Sequence, residues 1–430
     1  MQRLPFLFLI LFTGQSSFGQ VNFDRLEDVL KYADKYSITS TRSRILGEIS
    51  RQEIKTQRSL LLPQVNFIAD ANYYPVINSL LVPDKMLGGN EEKLTRVQFG
   101  LPFTTSASVE GTMPILALEK RGQVKKAQLE NVRTHFTEKA KLERLHIEVT
   151  QVYYEILVII ETIRLNQENK SITDELMRIF DNRKKEGILD PAEYNRAKIL
   201  QLEIENTGIH NEGFLQEQLI KLRSLLNLPA ASSIRFFETL PSFSWELPEI
   251  IPVARKAALQ EANMKLAVAN QSLDVTKKAS FPKLSAFGRY STNLHMRFGS
   301  QKQDIHFDAS AVGVKIELPL FAGGSHKTQR SKNKLLIETA QADQQYVSNS
   351  LLNEHTSWMN GYHTALKKKT VLQKKVTLSA DNLRIASAQL KEGILEFDQY
   401  NNIFLEYNKV KKEEINNLFN GMLYSALMKM

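Results

Sequence analysis

Few residues in this 430-residue chain are of a type and spacing that could do chemistry. It contains no cysteine, which excludes a disulfide framework, a Cys-ligated zinc site, a thiol nucleophile and a lipid-modified cysteine. The eight histidines, His135, His146, His210, His295, His306, His326, His355 and His363, are scattered, and no His-Glu-x-x-His pattern occurs. No Gly-rich loop ending in Lys-Ser or Lys-Thr cradles a phosphate, and no Gly-x-Ser-x-Gly elbow presents a nucleophile. Lys367-Lys368-Lys369 with Lys374-Lys375 fits the wet outer face of a helix better than a nucleic-acid surface. The expectation is a protein that is not an enzyme and takes no cofactor, metal or nucleic acid. What does recur at a usable spacing is a set of polar residues alternating with apolar ones: Asn66 and Asp70, Ser106 and Glu110, Arg289, and Lys315 with Glu317. A wet row on one side of a strand and an oily row on the other could line an aqueous passage.

Four stretches carry that alternation, and they predict strands at about 64–74, 99–113, 283–293 and 307–320. In the first, Val65, Phe67, Ala69, Ala71 and Tyr73 alternate with Gln64, Asn66, Asp70 and Asn72, Ile68 being the exception. In the last, Phe307 to Ala311 is out of phase with Val312, Val314 and Ile316, which predicts a bulge near Gly313. Elsewhere the period is helical. Leu145, Val149, Val152, Ile156, Ile159 and Ile163 step by four and three, as do Leu372, Val376, Ser379, Leu383, Ala386 and Leu390. Such steps predict helices packed side by side. The proline-free run from Glu119 to Lys185 would be a rod of roughly 100 Å at 1.5 Å per residue.

The elements come twice. Met113-Pro114-Ile115-Leu116 recurs as Leu318-Pro319-Leu320-Phe321, and Glu186-Gly187-Ile188-Leu189-Asp190 recurs as Glu392-Gly393-Ile394-Leu395-Glu396. The distance from proline to glycine is 73 residues in the first copy and 74 in the second. From Pro63 to Pro114 is 51 residues and from Pro282 to Pro319 only 37; the 14 extra lie between Pro75 and Val97, where two prolines and Gly88-Gly89 predict a longer loop. The expected organisation is a first repeat over 20–230 and a second over 231–430. Residues 1–19, with Arg3, the apolar run Leu4 to Phe12 and the small residues Ser17 and Gly19, have the layout of a secretory signal peptide.

Composition agrees with long packed helices: 42% of residues are hydrophobic, and only 19 glycines and 13 prolines interrupt the chain. The formal charge of +9 is spread along the sequence and becomes +8 without residues 1–19, which hold one Arg and no acid. No apolar run after Gln20 reaches membrane-spanning length, so contact with a bilayer would fall to the strands. Four strands cannot close a membrane barrel, which needs at least about eight. Copies of the chain would have to complete it; two would give a filled eight-stranded barrel, three a twelve-stranded one with an aqueous lumen.

With the duplicated plan, Leu318-Pro319-Leu320-Phe321-Ala322-Gly323-Gly324 and Lys391-Glu392-Gly393-Ile394-Leu395-Glu396-Phe397, the mature chain resembles the TolC family of outer-membrane efflux and export proteins. The resemblance implies a mainly helical fold with duplicated helix–β-hairpin–helix repeats, a trimeric 12-stranded barrel and a long helical tunnel. It also implies an outer-membrane location in a Gram-negative bacterium, with a periplasmic adaptor, an inner-membrane pump and outer-membrane lipid as partners. Carried over residue by residue, it puts a periplasmic pore gate at Glu193, Gln399 and Asn402, with Asp190 near enough to contribute, and turn hinges at Gly187 and Gly393. Two of the three ring positions are neutral amides here, where the family is more acidic, so strong cation preference at the entrance is in doubt. The function expected is the passive channel component of a multi-part efflux or type I export system. The competing reading is a periplasmic or surface coiled-coil scaffold without a pore, its strands folded into a small sandwich.

Overall fold

The computed structural model describes residues 21–89, 93–98, 100–238, 245–246, 251–296 and 305–430. The signal peptide expected at 1–19 lies outside them. In chain order the elements are β1 (Val21–Phe23), α1 (Leu26–Tyr36), α2 (Ile38–Ser59), β2 (Gln64–Tyr73), β3 (Ser79–Pro83), β4 (Leu94–Gln98), β5 (Phe103–Leu116), α3 (Leu118–Lys185), α4 (Pro191–Leu226), β6 (Ile234–Phe236), α5 (Ala257–Lys278), β7 (Lys283–Met296), β8 (Ile305–Glu317), α6 (Ser325–Glu392) and α7 (Phe397–Met428). The two longest, α3 and α6, have 68 residues each and contain no proline, so nothing interrupts their hydrogen-bond ladders. Among the described residues no helix is long and apolar enough to cross a membrane.

The chain divides into two compact units, and each takes segments from both halves of the sequence: one from the segments through Leu46, Phe136–Glu261 and Gln345–Met430, the other from Gly47–His135 and Ala262–Gln344. In the first unit the heptad residues do the packing. Leu145, Val149, Val152 and Ile156 of α3 meet Leu222 and Leu226 of α4, Val29 of α1 and Met422 of α7 in one buried cluster. Leu176 and Phe180 of α3 meet Ala197 and Leu200 of α4, Leu383, Ala386 and Leu390 of α6, and Phe397, Tyr400 and Phe404 of α7 in another. Between helices α3 and α7 lies a buried amide pair, Asn169 donating to Asn408, which in turn donates to the Phe404 carbonyl at 3.0 Å. Such a pair costs stability relative to apolar packing but fixes the register of one helix on the other.

In the second unit the four long strands form one antiparallel sheet in the order β2-β5-β7-β8, leaving β2 and β8 as edges. The strand expected at 99–113 begins later and runs on to Leu116. Its ladder with β7 shifts between Pro114 and Leu116, where a proline without an N–H is tolerated. The bulge expected near Gly313 is absent: β7 and β8 pair without a break from Lys283↔Glu317 to His295↔Ile305. The phase change has another cause. One face of β8 passes from His306, Asp308 and Ser310 to Val312, Val314 and Ile316 without an inserted residue, so polarity changes along the face instead of the strand slipping. Gly313 instead makes room for the Phe287 ring, whose edge would lie 3.0 Å from a Cβ placed there.

The longer loop expected after Pro75 is in part structured, with β3 and β4 pairing antiparallel around a turn of 3₁₀ helix at Asp84–Leu87. β1 and β6 pair in parallel over three residues, and Phe23 stacks on Phe236 with ring centroids 6.3 Å apart.

Candidate functional site

The sheet register decides which side chains share a face. Asn66 lies opposite Glu110 and Glu110 opposite Arg289; Asp70 lies opposite Ser106 and Ser106 opposite Asn293. Lys315 pairs with Ser285 and Glu317 with Lys283, and the two-residue period sets both on that same face. All seven residues singled out in the strands are thus brought to one side of one sheet. Ser106 donates to Asp70, as does Asn72 at 2.8 Å, and the Lys315 ammonium sits 3.3 Å from Glu317. The opposite face carries Val65 and Phe67 of β2, Val109 and Met113 of β5, and Val312, Val314 and Ile316 of β8, all exposed in the single chain. Burying this much apolar surface is favourable at roughly 25 cal/mol per Å², so a chain that leaves it bare in water pays for it unless lipid or protein covers it.

The second group lies where α3 turns into α4 and α6 into α7. Gly187 and Gly393 have φ of 75° and 77°, the left-handed region where a side chain is strained. Each closes its helix in the same way: Ile188 N–H reaches the Arg183 carbonyl at 3.1 Å, and Ile394 N–H reaches the Gln389 carbonyl at 2.9 Å, a six-to-one bond that satisfies an orphan carbonyl. The returning helices start differently. Asp190 caps α4 through its own carboxylate, which accepts from Ala192 N–H at 3.0 Å, while Glu396 makes no side-chain cap for α7. The carboxylate that serves α7 is Glu193, which accepts from Phe397 N–H at 3.2 Å. One turn further along α4, Ala197 and Leu200 are buried, so Glu193 sits at the head of the packed face.

Gln399 and Asn402 stand apart from it. Both are exposed on the side of α7 away from Phe397, Tyr400 and Phe404, and among the described residues neither side chain finds a hydrogen-bond partner. The four expected gate residues therefore divide: Glu193 joins the two halves, Asp190 caps its own helix, and Gln399 and Asn402 face open space.

Sequence reasoning missed what holds this end together. The Arg183 guanidinium donates to the carbonyls of Leu390 at 3.0 Å and Lys391 at 2.9 Å, covering the end of α6 from α3. Lys391 pairs with Glu175 at 2.6 Å, and Arg196 with Asp398 at 3.0 Å. The hydrogen bond and the charge of Lys391 hold the Glu175 carboxyl below its ordinary range. Burial raises the Tyr400 hydroxyl above its usual value. Each of these contacts links residues more than 200 positions apart, or two exposed charges on different helices, and no local pattern announces them. Among the described residues no group of three or more His, Asp or Glu side chains gathers as a metal site would require.

Known proteins agree with this arrangement. Residues 253–397 match the family model described as "Outer membrane efflux protein". No curated protein matches the sequence. The fold is similar to that of the outer membrane protein VceC from Vibrio cholerae, with a TM-score of 0.76 at 14% identity over 94% of each chain. It is also similar to the open state of the MtrE outer membrane channel from Neisseria gonorrhoeae, at 0.74 and 17% over 97% of this chain and 93% of that one. The CmeC outer membrane channel from Campylobacter jejuni gives 0.75 and 14% over 94% and 85%. The chain thus carries the outer-membrane efflux protein segment in its second half, and nearly its whole length has the fold of these outer-membrane channels.

Proposed function

We propose that three copies of the chain form a passive conduit, a twelve-stranded barrel in the outer membrane leading into a helical tunnel, loaded by a periplasmic adaptor and an inner-membrane pump. The observation that carries this reading is the sheet: four strands with two free edges, one polar face and one oily face. Edges cannot be left unpaired in hydrocarbon, where each orphan backbone group costs several kcal/mol, so the strands of other copies must complete the ring. Three copies make the ring wide enough for water, and Asn66, Asp70, Ser106, Glu110, Arg289, Lys315 and Glu317 line it. Exposed apolar residues at heptad spacing on α6, Val371, Leu378 and Ile385, suit the same partnership between copies. Sedimentation in detergent tests it: a particle of three chains is expected, and a folded monomer released without detergent would return the scaffold reading.

Within that conduit Gln399 and Asn402 line the narrow end, which opens as the helix pairs after Gly187 and Gly393 shift against each other. Selectivity comes from width and lining charge, so replacing both with Asp should raise cation preference in planar-bilayer recordings. An unchanged reversal potential would remove them from the lining.

A further inference from the structure

The seam between strands and helices in the second half holds a groove that the channel reading does not use. It has a volume of about 820 Å³ and lies where α5 leads into β7 and β8 leads into α6. Lys277 of α5 and Lys327, Arg330 and Lys334 of α6 line it, with His326 beside them and no acidic side chain. Two acids near it are already engaged, Asp274 with Lys278 at 2.7 Å and Glu119 with Lys283 at 2.8 Å, and Glu338, one turn beyond Lys334 on α6, does not line the groove. Among the described residues none of the four groove cations forms an ion pair. Arg330 donates one bond, to Ser280 Oγ at 2.9 Å, and its Nε is buried without a partner. Four like charges and a buried unsatisfied donor form a costly arrangement that an anion would relieve.

The lip of the groove says what kind of anion. Leu320 and Phe321 are 89% and 87% exposed and lie just past Leu318-Pro319 at the end of β8, whose oily row ends at Val314 and Ile316. A second copy of the chain could approach across the free edge of β8 with its α2, which has no buried residue of its own. That helix carries Arg42, Arg44, Arg51, Lys55 and Arg58 against Glu48 and Glu53, so it would add positive charge to the groove rather than offset it. Bulky apolar residues beside clustered Lys and Arg are the arrangement that recognises anionic lipid at a membrane boundary.

We propose that this groove binds the phosphate of an anionic phospholipid in the leaflet at the helix-side end of the barrel, with Leu320 and Phe321 entering the hydrocarbon. The proposal rests on the sheet being the membrane-embedded part. Arg330 supplies the donor that meets the phosphate from inside, and Lys277, Lys327 and Lys334 supply the surrounding charge.

Native mass spectrometry of the full chain, purified in detergent and exposed to equal amounts of phosphatidylglycerol and phosphatidylcholine, tests it. The unaltered protein is expected to retain phosphatidylglycerol preferentially, and a K327Q/R330Q/K334Q variant to lose that preference by about five-fold per removed charge. A K327R/K334R variant, which keeps the charge, should retain it, so that a folding defect is not mistaken for a binding one. Equal retention by the unaltered protein and the Gln variant overturns the assignment. So does displacement of phosphatidylglycerol by millimolar inorganic phosphate alone, which would leave a free-anion site, or an engineered disulfide joining the groove to α2 of a second copy, which would leave no room for lipid. Membrane fractionation of the same proteins keeps the two readings apart: loss of membrane association by the unaltered chain would count against the barrel, whereas loss of lipid preference alone counts only against the groove.

Discussion

The turn at Gly187 and the turn at Gly393 are copies of one design placed in different surroundings. Both have a left-handed glycine, both are followed by an exposed isoleucine, and both begin the next helix with an acid at the cap position. The first is self-sufficient: Asp190 caps its own helix, Pro191 presets the first helical residue, and Tyr194 is only half-buried, with its hydroxyl on Asp181 at 2.9 Å and the Lys184 ammonium 3.8 Å from its ring. The second depends on its neighbour. Phe397 and Tyr400 occupy the places of Pro191 and Tyr194 but are buried, and the cap comes from Glu193 of the other half. The two turns share what their backbone demands and differ in the side chains that support them.

That asymmetry can be broken at several strengths. Phe397→Ala should cost about 3–5 kcal/mol, because it empties a site packed against Phe180 at 5.8 Å, whereas Tyr194→Ala should cost far less. Thermal unfolding in detergent compares them, and equal losses would end the distinction. Gly393→Ala and Gly187→Ala should each cost about 1–2 kcal/mol for a left-handed side chain, so here the two turns should respond alike. Glu193→Ala should cost about 1 kcal/mol and speed amide hydrogen exchange in the first turn of α7, while Asp190→Ala should do the same only in α4. Exchange that rises in α4 alone for both variants would show that the cross-half cap is not used.

The smallest effect is that of pH. The Glu175 carboxyl titrates below its ordinary range because of Lys391, so the stability it contributes is complete above the unfolded value of about 4.3 and is lost as pH falls through the lower folded value. Amide exchange at the end of α6 should therefore increase on acidification below about pH 4. Glu175→Gln should remove that part of the dependence.

Much of this was legible in the order of residues. The heptad steps of α3 and α6, the glycine turns and the strand alternation are local patterns, and local patterns set backbone period and burial direction. What escaped was tertiary or short. Glu193 reads as one acid among several until Phe397 N–H is placed beside it, and Arg183 gives no hint that it covers the end of a helix 200 residues away. The β3–β4 pair is five residues a side, flanked by Pro83 and two glycines, so its alternation was too brief to outweigh its turn residues. At three residues, β1 and β6 offer no period at all. Gly313 differs again: a change of hydrophobic phase marks either an inserted residue or a strand that meets two environments along its length, and β8 is the second case.

The β1–β6 ladder makes the halves of this polypeptide inseparable. Phe23, from the start of the chain, and Phe236, from the junction between the halves, share one aromatic stack with Tyr153, whose hydroxyl bonds to Glu238. A fragment ending before the junction would uncover the first ring, and one beginning after it would lack both. Neither end of this stack is complete without the other, so the start of the chain and its middle share one piece of core.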